Sequence, residues 1–328
     1  MIPKVSILVP VYNVSKYIER CAHSLFQQTF DDIEYVFIND CTPDDSIEKL
    51  QKVIEQYPHR KQNVKIIHHK KNHGLATTRN TAIDNSSGQY IQVVDSDDWI
   101  EKDMIETMYK KAIEENADVV TSDIFIEDKG KTIRKYDIVA SNQAENFRYY
   151  LTEICIQNLV NKLVKREFYE QNDNRVPDGL NILEDRHVMI RIYYVAKRIV
   201  RVDKAFYHYV RNQDSLTKKI GETHFGNIET FFELLRFYLK RNGIFEKYYF
   251  DFIKLKLSFD VEFFCNPIYY KSPFFYQFRD VYEENILRNK DFLKPVEKLM
   301  FFFTRHRLLI FTQLIRCLLL IKSYAKMK

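Results

Sequence analysis

The clearest chemistry in the sequence lies in an acidic loop that follows an apolar run. Ile91–Val94 predicts a buried strand, and Asp95-Ser96-Asp97-Asp98 follows it directly. Carboxylates leaving a buried strand need a counter-charge, because burying them unpaired is costly. Mg²⁺ and Mn²⁺ prefer such hard oxygen ligands and reach a protein through one or two carboxylates plus diphosphate oxygens. The loop thus predicts a divalent-metal site at Asp97, with Asp95 beside it; a solvated acidic loop is the alternative.

Two further segments carry polar side chains at the ends of predicted elements. Asp40 follows the apolar run Tyr35–Ile38, and Arg79 lies where a helical pattern opens after the glycine turn at Gly74. An arginine can neutralise a diphosphate or make a bidentate contact with a base edge. Together with the acidic loop, these segments favour a site for a nucleotide diphosphate over a merely solvated surface.

The elements that must position these residues alternate along the first half of the chain. Four apolar runs predict buried strands, at Val5–Val9, Tyr35–Ile38, Val64–Ile67 and Ile91–Val94. Helical patterns separate them, at Ser15–Gln28, Ser46–Gln56 and Leu75–Asn85. This alternation predicts an α/β fold with a doubly wound parallel sheet. Its ligands bind beyond the carboxyl ends of the strands, where Asn13, Asp40, Arg79 and Asp95 project.

The alternation stops after a further helix and strand. Lys102–Glu115 predicts a helix and Ala117–Ile126 a strand, after which Lys129–Lys135 indicates a charged turn. We predict one α/β domain over residues 1–220, with a nucleotide-binding half to about 128 and an acceptor half over 129–220. Residues 221–328 predict a helical region of four or five helices, punctuated by Asn242-Gly243, Pro267, Pro273 and Pro295.

Composition excludes several classes of protein. A chain that is 45% hydrophobic and 29% charged is globular rather than disordered. Its five cysteines form no CxxC pair, so reduced thiols are expected rather than a disulfide framework or zinc site. No signal-peptide pattern opens the sequence, which predicts a cytoplasmic protein. A dinucleotide-dependent oxidoreductase would need a glycine-rich turn after the first strand, where this chain has Val9-Pro10-Val11-Tyr12-Asn13.

Four motifs in order make the first hundred residues resemble inverting glycosyltransferases of family 2, which have the GT-A fold. They are Val5-Ser6-Ile7-Leu8-Val9-Pro10-Val11-Tyr12-Asn13, Asn39-Asp40-Cys41-Thr42-Pro43-Asp44, Asn72-His73-Gly74-Leu75-Ala76-Thr77-Thr78-Arg79-Asn80 and Asp95-Ser96-Asp97-Asp98. Together they are specific, although any one alone is not. Cys41 departs from the family pattern, since it stands where the family usually has glycine.

The resemblance implies a GT-A domain followed by a mainly helical C-terminal region, and it assigns roles to individual residues. Asp97 takes the metal, Mn²⁺ or Mg²⁺, and Asp95 faces the ribose. The nucleotide-sugar-binding set that it implies is Pro10, Val11, Tyr12, Asn13, Asp40, Arg79, Asp95 and Ser96.

The second half resembles the family more loosely, through Asn161–Phe168 and Leu183-Glu184-Asp185. The resemblance makes Asp185 the general base, and in-line displacement at an anomeric carbon needs such a carboxylate on the acceptor side. An acid that merely favours a helix N-terminus is the alternative. His208 stands where some relatives bring a histidine near the metal, although a packed core histidine is the alternative. Trp99 could stack on a sugar or belong to the core.

The C-terminal segment combines apolar residues with positive charge. Nine Lys/Arg and two Asp/Glu lie between Lys290 and Lys328, and its charges interrupt the apolar length that a spanning helix needs. An interfacial helix on the inner leaflet of a membrane is one interpretation, with Arg305, Arg307, Arg316 and Lys322 at the headgroups. A helix packed on the domain, or a homodimer contact, is the other. Nucleic acid is not expected as a partner, because the crevice is acidic.

These observations predict a hexosyl- or N-acetylhexosaminyl-transferase. It would move a sugar, expected from a UDP-sugar, to a glycan or lipid-linked hydroxyl acceptor in cell-surface polysaccharide or lipopolysaccharide synthesis. The alternative is a catalytically inactive nucleotide-sugar binding protein, against which the intact Asp97 and Asp185 argue.

Overall fold

The computed structural model describes residues 2–170, 174–212, 222–266, 275–306 and 309–326. The chain divides into two units: Met1–Tyr150 with Ile154–Asn212, and Leu151–Glu153 with Gln213–Lys328. The first unit ends at Asn212, whereas the sequence predicts a domain boundary near residue 220. Residues 213–221 lie outside the described residues. Pro267 and Pro273, which the sequence suggested as helix breaks, also lie outside them.

The first unit is built on one mixed sheet. Its strands are β1 (Val5–Val11), β2 (Ile33–Asn39), β3 (Val64–His68), β4 (Tyr90–Val93), β5 (Trp99–Ile100), β6 (Val119–Asp128), β7 (Lys131–Lys135), β8 (Lys162–Lys165) and β9 (Ile199–Val210). Its helices are α1 (Ile18–Phe26), α2 (Ser46–Glu55), α3 (Pro58–Lys61), α4 (Leu75–Asp84), α5 (Met104–Glu114), α6 (Gln143–Leu151), α7 (Glu167–Glu170) and α8 (Glu184–Val195).

The strand order explains which predictions from sequence succeed. The order is β3-β2-β1-β4-β8-β6-β9-β5, with β7 paired to β6. The first four of these strands are parallel, as the alternating pattern predicts, and every residue of β1 is buried. Their carboxyl ends therefore share one edge, where the predicted polar residues follow.

Two strands differ from the sequence prediction. β6 does not extend the parallel sheet from β4; β8 lies between them and is antiparallel to both. The segment Lys129–Lys135, predicted as a charged turn, instead contains β7, which forms a hairpin with β6 around Lys129 and Gly130. Pairing decides both cases, at long range for β8 and within a local hairpin for β7, because these two short strands carry charged residues at their ends and lack a clear apolar pattern.

The second unit is helical, as predicted. Its described helices are α9 (Glu222–Arg241), α10 (Tyr249–Cys265), α11 (Phe275–Arg288), α12 (Pro295–Arg305) and α13 (Leu309–Lys326), with a 3₁₀ turn at Lys290–Phe292. Aromatic rings fill its interior; Phe263, for example, stacks on Tyr282 with ring centroids 5.8 Å apart. Among the described helices, none combines the length and apolar character needed to cross a membrane.

Candidate active site

The acidic loop after β4 divides into one structural and two available carboxylates. Asp98 is buried and accepts hydrogen bonds from the Tyr207 hydroxyl at 2.6 Å and the Val210 N–H at 2.7 Å. Asp95 and Asp97 remain partly exposed. Burial, together with Asp97 and Asp95, raises the pKa of Asp98 well above its ordinary value. Asp98 therefore anchors the loop on β9, whereas the carboxylates of Asp95 and Asp97 remain accessible to a ligand.

Asp97 has the electrostatics of a cation ligand. Burial and the nearby charge of Asp95 raise its pKa to about 6. Asn212 donates to its Oδ2 at 2.5 Å, and Arg20 donates to its backbone carbonyl at 3.1 Å. The carboxylate is thus held in place but incompletely neutralised, which favours a bound cation.

The donor set fits Mg²⁺ or Mn²⁺. Among the described residues, no group of three or more His, Cys, Asp or Glu side chains is arranged to hold a metal. That result excludes an all-protein cage there, whereas these ions typically use one or two carboxylates and complete their shell with water and phosphate oxygens. Asp97 and Asp95 provide two carboxylates of this kind on one loop.

Arg79 connects the acidic loop to the acceptor half. Its Nη2 donates to Asp95 Oδ1 at 2.9 Å, and its Nη1 makes a short contact with Glu184. Arg79 and Glu184 are both buried. Burial raises the pKa of Glu184 against the opposing charge of Arg79. The resemblance assigns Arg79 to the nucleotide, and the structure places its side chain between the carboxylates of Asp95 and Glu184.

Asp40 is also engaged within the protein. Its Oδ1 accepts from the His73 N–H at 2.9 Å and pairs with His69 Nδ1 at 2.7 Å, while its Oδ2 accepts from the Gly74 N–H at 2.8 Å. These bonds hold the turn that opens α4. Any contact of Asp40 with the base of a nucleotide would therefore use the remaining lone pairs of a carboxylate that is already held in place.

The segment after β1 divides between core and surface. The Pro10 and Val11 side chains are buried, whereas Tyr12 and Asn13 are exposed. Asn13 adopts φ +55° and its N–H donates to Thr42 Oγ1 at 2.8 Å. Val11 can therefore meet a ligand only through its backbone, and Tyr12 offers the exposed ring.

Cys41 has a backbone conformation that favours glycine. It adopts φ +57°, in the left-handed region that a residue with a Cβ enters reluctantly. The turn after Asp40 keeps the conformation that glycine favours even though the residue has changed. Ser96, the remaining member of the predicted nucleotide-sugar set, is buried within the acidic loop.

Asp185 lies in the first turn of α8, next to Glu184. Its side chain is partly exposed, and its Oδ1 accepts the N–H of Arg186 at 2.6 Å. The preceding residue, Leu183, adopts φ +63°, an unusual conformation for a branched side chain. With Arg79 and Pro10, Asp185 lines a small cavity. The predicted base, Asp185, thus lines the same cavity as the paired residues Arg79 and Glu184.

His208 has partners other than the predicted metal. Its Nδ1 pairs with Glu127 at 2.7 Å and its Nε2 with Glu101 at 3.0 Å. The ring stacks on Trp99 with centroids 3.4 Å apart. Both ring nitrogens are thus engaged by carboxylates in this conformation, rather than by the predicted metal site. One face of Trp99 is occupied in the same way.

Sequence reasoning missed the partners of the predicted residues. The sequence indicates Glu184 only as part of the Leu183-Glu184-Asp185 motif and as the second candidate base, whereas the structure shows that it pairs with Arg79. Asn212 and Arg20 contact Asp97 from elements far away in sequence. Glu184 had a signal, the acidic pair at the start of a helix; Asn212 and Arg20 belong to no motif.

Comparisons with known proteins identify a family and several relatives. The model of the family described as "Glycosyl transferase family 2" matches residues 6–172. "Putative glycosyltransferase EpsH" of Bacillus subtilis is 31% identical over 253 residues, 75% of this chain and 72% of EpsH. "Glycosyltransferase GlyA" of Streptococcus pneumoniae is 31% identical over 66% of this chain but only 32% of its own length.

A solved structure extends the likeness to the fold. TarS 1–349 of Staphylococcus aureus in complex with UDP-GlcNAc matches with a TM-score of 0.59 and 25% identity, over 71% of this chain and 65% of that one. TarS is named a poly(ribitol-phosphate) beta-N-acetylglucosaminyltransferase, and the chain covers 39% of its full length.

Proposed function

Because the chain belongs to glycosyl transferase family 2, with a GT-A-type fold and a helical C-terminal region, we propose that it is an inverting glycosyltransferase. It transfers a sugar from a nucleotide diphosphate to a hydroxyl acceptor. One observation carries the proposal: Arg79 joins the acidic loop, through Asp95, to the Glu184-Asp185 pair on the acceptor half. A donor-side acidic loop and an acceptor-side carboxylate are the two parts that such a transfer needs.

On the donor side, Asp97 and Asp95 would hold Mg²⁺ or Mn²⁺, which supplies positive charge against the departing diphosphate. Tyr12 and Asp40 follow β1 and β2, at the edge where a nucleotide binds in open α/β sheets. Arg79 pairs with both Asp95 and Glu184, so part of the negative charge beside the loop is offset before the donor arrives.

On the acceptor side, Asp185 takes the proton of the attacking hydroxyl. Inversion requires the hydroxyl to attack from the face opposite the leaving diphosphate, so base and acidic loop must approach the sugar from different sides. Glu184 is the second candidate for this role, because its pair with Arg79 buries it in this conformation. The partly exposed Asp185 is the carboxylate that an acceptor can reach.

We infer a UDP-sugar as donor, a hexose or N-acetylhexosamine, from the similarity to TarS, which was solved with UDP-GlcNAc. We propose, as the sequence predicts, that the acceptor is a glycan or lipid-linked hydroxyl in cell-surface polymer synthesis. A panel of nucleotide sugars, each assayed with Mn²⁺ for nucleotide release and thermal stabilisation, tests this inference. Release from at least one UDP-sugar is expected; stabilisation without release would favour the alternative of an inactive binding protein.

We further propose that the helical unit binds the anionic inner leaflet, so that the reaction takes place at the cytoplasmic face. Ile310, Leu314 and Leu318 are 67%, 56% and 66% exposed and recur every four residues, so they form one stripe on α13. On α12, Leu299 and Phe302 are exposed as well. Apolar residues bordered by basic ones suit a lipid headgroup region.

Charge argues for a membrane over a second copy of the chain. The segment from Lys290 to Lys328 carries nine basic and two acidic residues, so two such faces would repel each other. An anionic surface attracts them, at about 1 kcal/mol for each basic residue near it. Arg305 and Arg316 already form ion pairs with Glu283 and Glu262. Arg307 and the side chain of Lys322 lie outside the described residues.

Replacing Leu314 and Leu318 together by glutamate is expected to abolish binding to phosphatidylglycerol vesicles. The change removes two apolar contacts and adds two charges that anionic lipid repels. Co-sedimentation of full-length proteins measures it, with Phe237→Glu, an exposed aromatic residue on α9, as the matched control. Equal sedimentation of all three proteins would contradict the proposal, as would a halved mass of the variant in solution, which would identify a homodimer contact.

A further inference from the structure

The loop that leads to Glu184-Asp185 depends on α4 for its position. Residues 174–183 form local turns, such as Leu180 N–H to Pro177 O at 3.1 Å and Asn181 N–H to Gly179 O at 3.0 Å. Such turns leave the direction of a loop open. An element that bonds to the loop along its length can fix that direction.

One face of α4 provides that support. Ala76, Asn80 and Asp84 recur every four residues and so lie on the same side of the helix. The Ala76 N–H donates to Asn181 Oδ1 at 3.1 Å, and Arg175 bridges to Asp84 Oδ1 at 2.6 Å. The loop is bonded along more than two turns of this helix.

Thr77 and Gly74 strengthen the attachment at the start of α4. The Thr77 hydroxyl donates to Asp178 Oδ1 at 3.0 Å. A Cβ at Gly74 would lie 2.6 Å from Asn181 Oδ1, so the loop approaches this turn as closely as glycine permits.

Asn80 makes the central contact. Its Nδ2 donates to the Val176 carbonyl at 2.7 Å, and its Oδ1 accepts from the Val176 N–H at 3.2 Å. The carboxamide thus satisfies both backbone groups of one buried residue, as a neighbouring strand would. An amide carries one donor group and one acceptor group in the same plane, which aspartate, serine or alanine cannot reproduce.

The adjacent residue makes this contact relevant to the reaction. Arg79, beside Asn80 on α4, pairs with Glu184, which follows the loop in sequence. The helix that carries the donor-side arginine therefore also holds the loop that delivers the acceptor-side acids. A misplacement of about 1 Å in such a constellation can lower a rate by roughly a hundredfold.

We propose that Asn80 is a positioning residue for sugar transfer: by holding Val176 at both backbone groups, it fixes the loop that places Asp185 for catalysis. This inference rests on the proposed transferase function. It assigns to Asn80 no contact with donor, metal or acceptor.

Asn80→Ala is expected to lower turnover of the UDP-sugar that the wild type uses by roughly 10- to 100-fold. Affinity for UDP with Mn²⁺ should change by no more than a few-fold, because the acidic loop is untouched. Hydrogen–deuterium exchange should increase in peptides covering residues 174–185. Asn85→Ala is the matched control, since Asn85 directly follows the same helix and its side-chain amide bonds, among the described residues, to the Thr81 carbonyl.

Asn80→Asp keeps the shape of the side chain and should act in the same direction, because a carboxylate oxygen would face the Val176 carbonyl. Asn80→Asp replaces Asn80→Ala in these measurements if the alanine variant does not fold. Turnover and loop exchange equal to those of Asn85→Ala would overturn the proposal. Faster exchange throughout the first unit, with donor affinity and turnover falling together, would also overturn it by making Asn80 a general stability residue. Absence of turnover in the wild type would instead refute the transferase function itself.

Discussion

Replacing Asp97 by alanine is expected to remove nearly all sugar transfer while leaving the protein at least as stable as the wild type. The lost carboxylate is the proposed metal ligand, and the charge that it recruits is worth several kcal/mol at a departing diphosphate. Since about 1.4 kcal/mol corresponds to a factor of ten, we expect a loss of more than roughly 10³-fold. Nucleotide release with and without Mn²⁺ measures it.

Stability should move in the opposite direction to activity, because burial and Asp95 raise the pKa of Asp97 to about 6. The folded protein holds this proton more tightly than the unfolded chain, so ionised Asp97 destabilises the fold as pH rises from about 4 through 6. Thermal unfolding at neutral pH should therefore show an equal or higher midpoint for Asp97→Ala. Asp203→Ala, which removes an exposed acid on β9, is the control. Normal metal-dependent turnover by a folded Asp97→Ala protein would refute the metal assignment.

Asp185→Asn is expected to lower turnover by roughly 10²–10⁴, the usual contribution of a positioned general base. The amide keeps the size of the side chain but cannot accept the proton of the hydroxyl. Donor affinity should stay within a few-fold, because Asp185 bonds only to its own helix among the contacts that the structure gives its side chain. Single-turnover rates and calorimetric titration with UDP and Mn²⁺ measure the two quantities separately.

Glu184→Gln provides the contrast to Asp185→Asn. It breaks the buried pair with Arg79 and should therefore lower turnover. Stability at neutral pH should be equal or higher, because burial raises the pKa of Glu184 and Arg79 keeps Asp95 as a partner. A parallel fall in donor affinity and rate in Asp185→Asn would make Asp185 a binding residue. Glu184 would then be the next candidate for the base.

The parallel half of the fold is predictable because its signals are local. β1, β2 and β4 are apolar runs long enough to define buried strands, and α1, α2, α4 and α5 lie where the helical pattern places them. An apolar run does not predict β8, because Lys162–Lys165 has a charged residue at each end. Its position in the sheet is set by pairing with β4 and β6. Its register depends on contacts distant in sequence.

The same division applies to the candidate site. Motif residues such as Asp95 and Asp185 are recognisable by their position after a strand or at a helix start. The role of Arg79 as a link to Glu184 is not, because the two residues are 105 positions apart. His208 shows the reverse: its position in the chain suggested a metal, and two distant carboxylates, Glu101 and Glu127, engage both nitrogens instead.

Calorimetric titration of the wild-type protein with UDP, in the presence of Mn²⁺ and after its removal by a chelator, tests the central claim most directly. We predict binding of UDP that requires Mn²⁺ in the wild type and loses that requirement in Asp97→Ala, together with most of the affinity. Binding of UDP that is equally tight with and without the metal, or absence of binding in both conditions, would contradict a metal-dependent nucleotide-sugar site at the acidic loop.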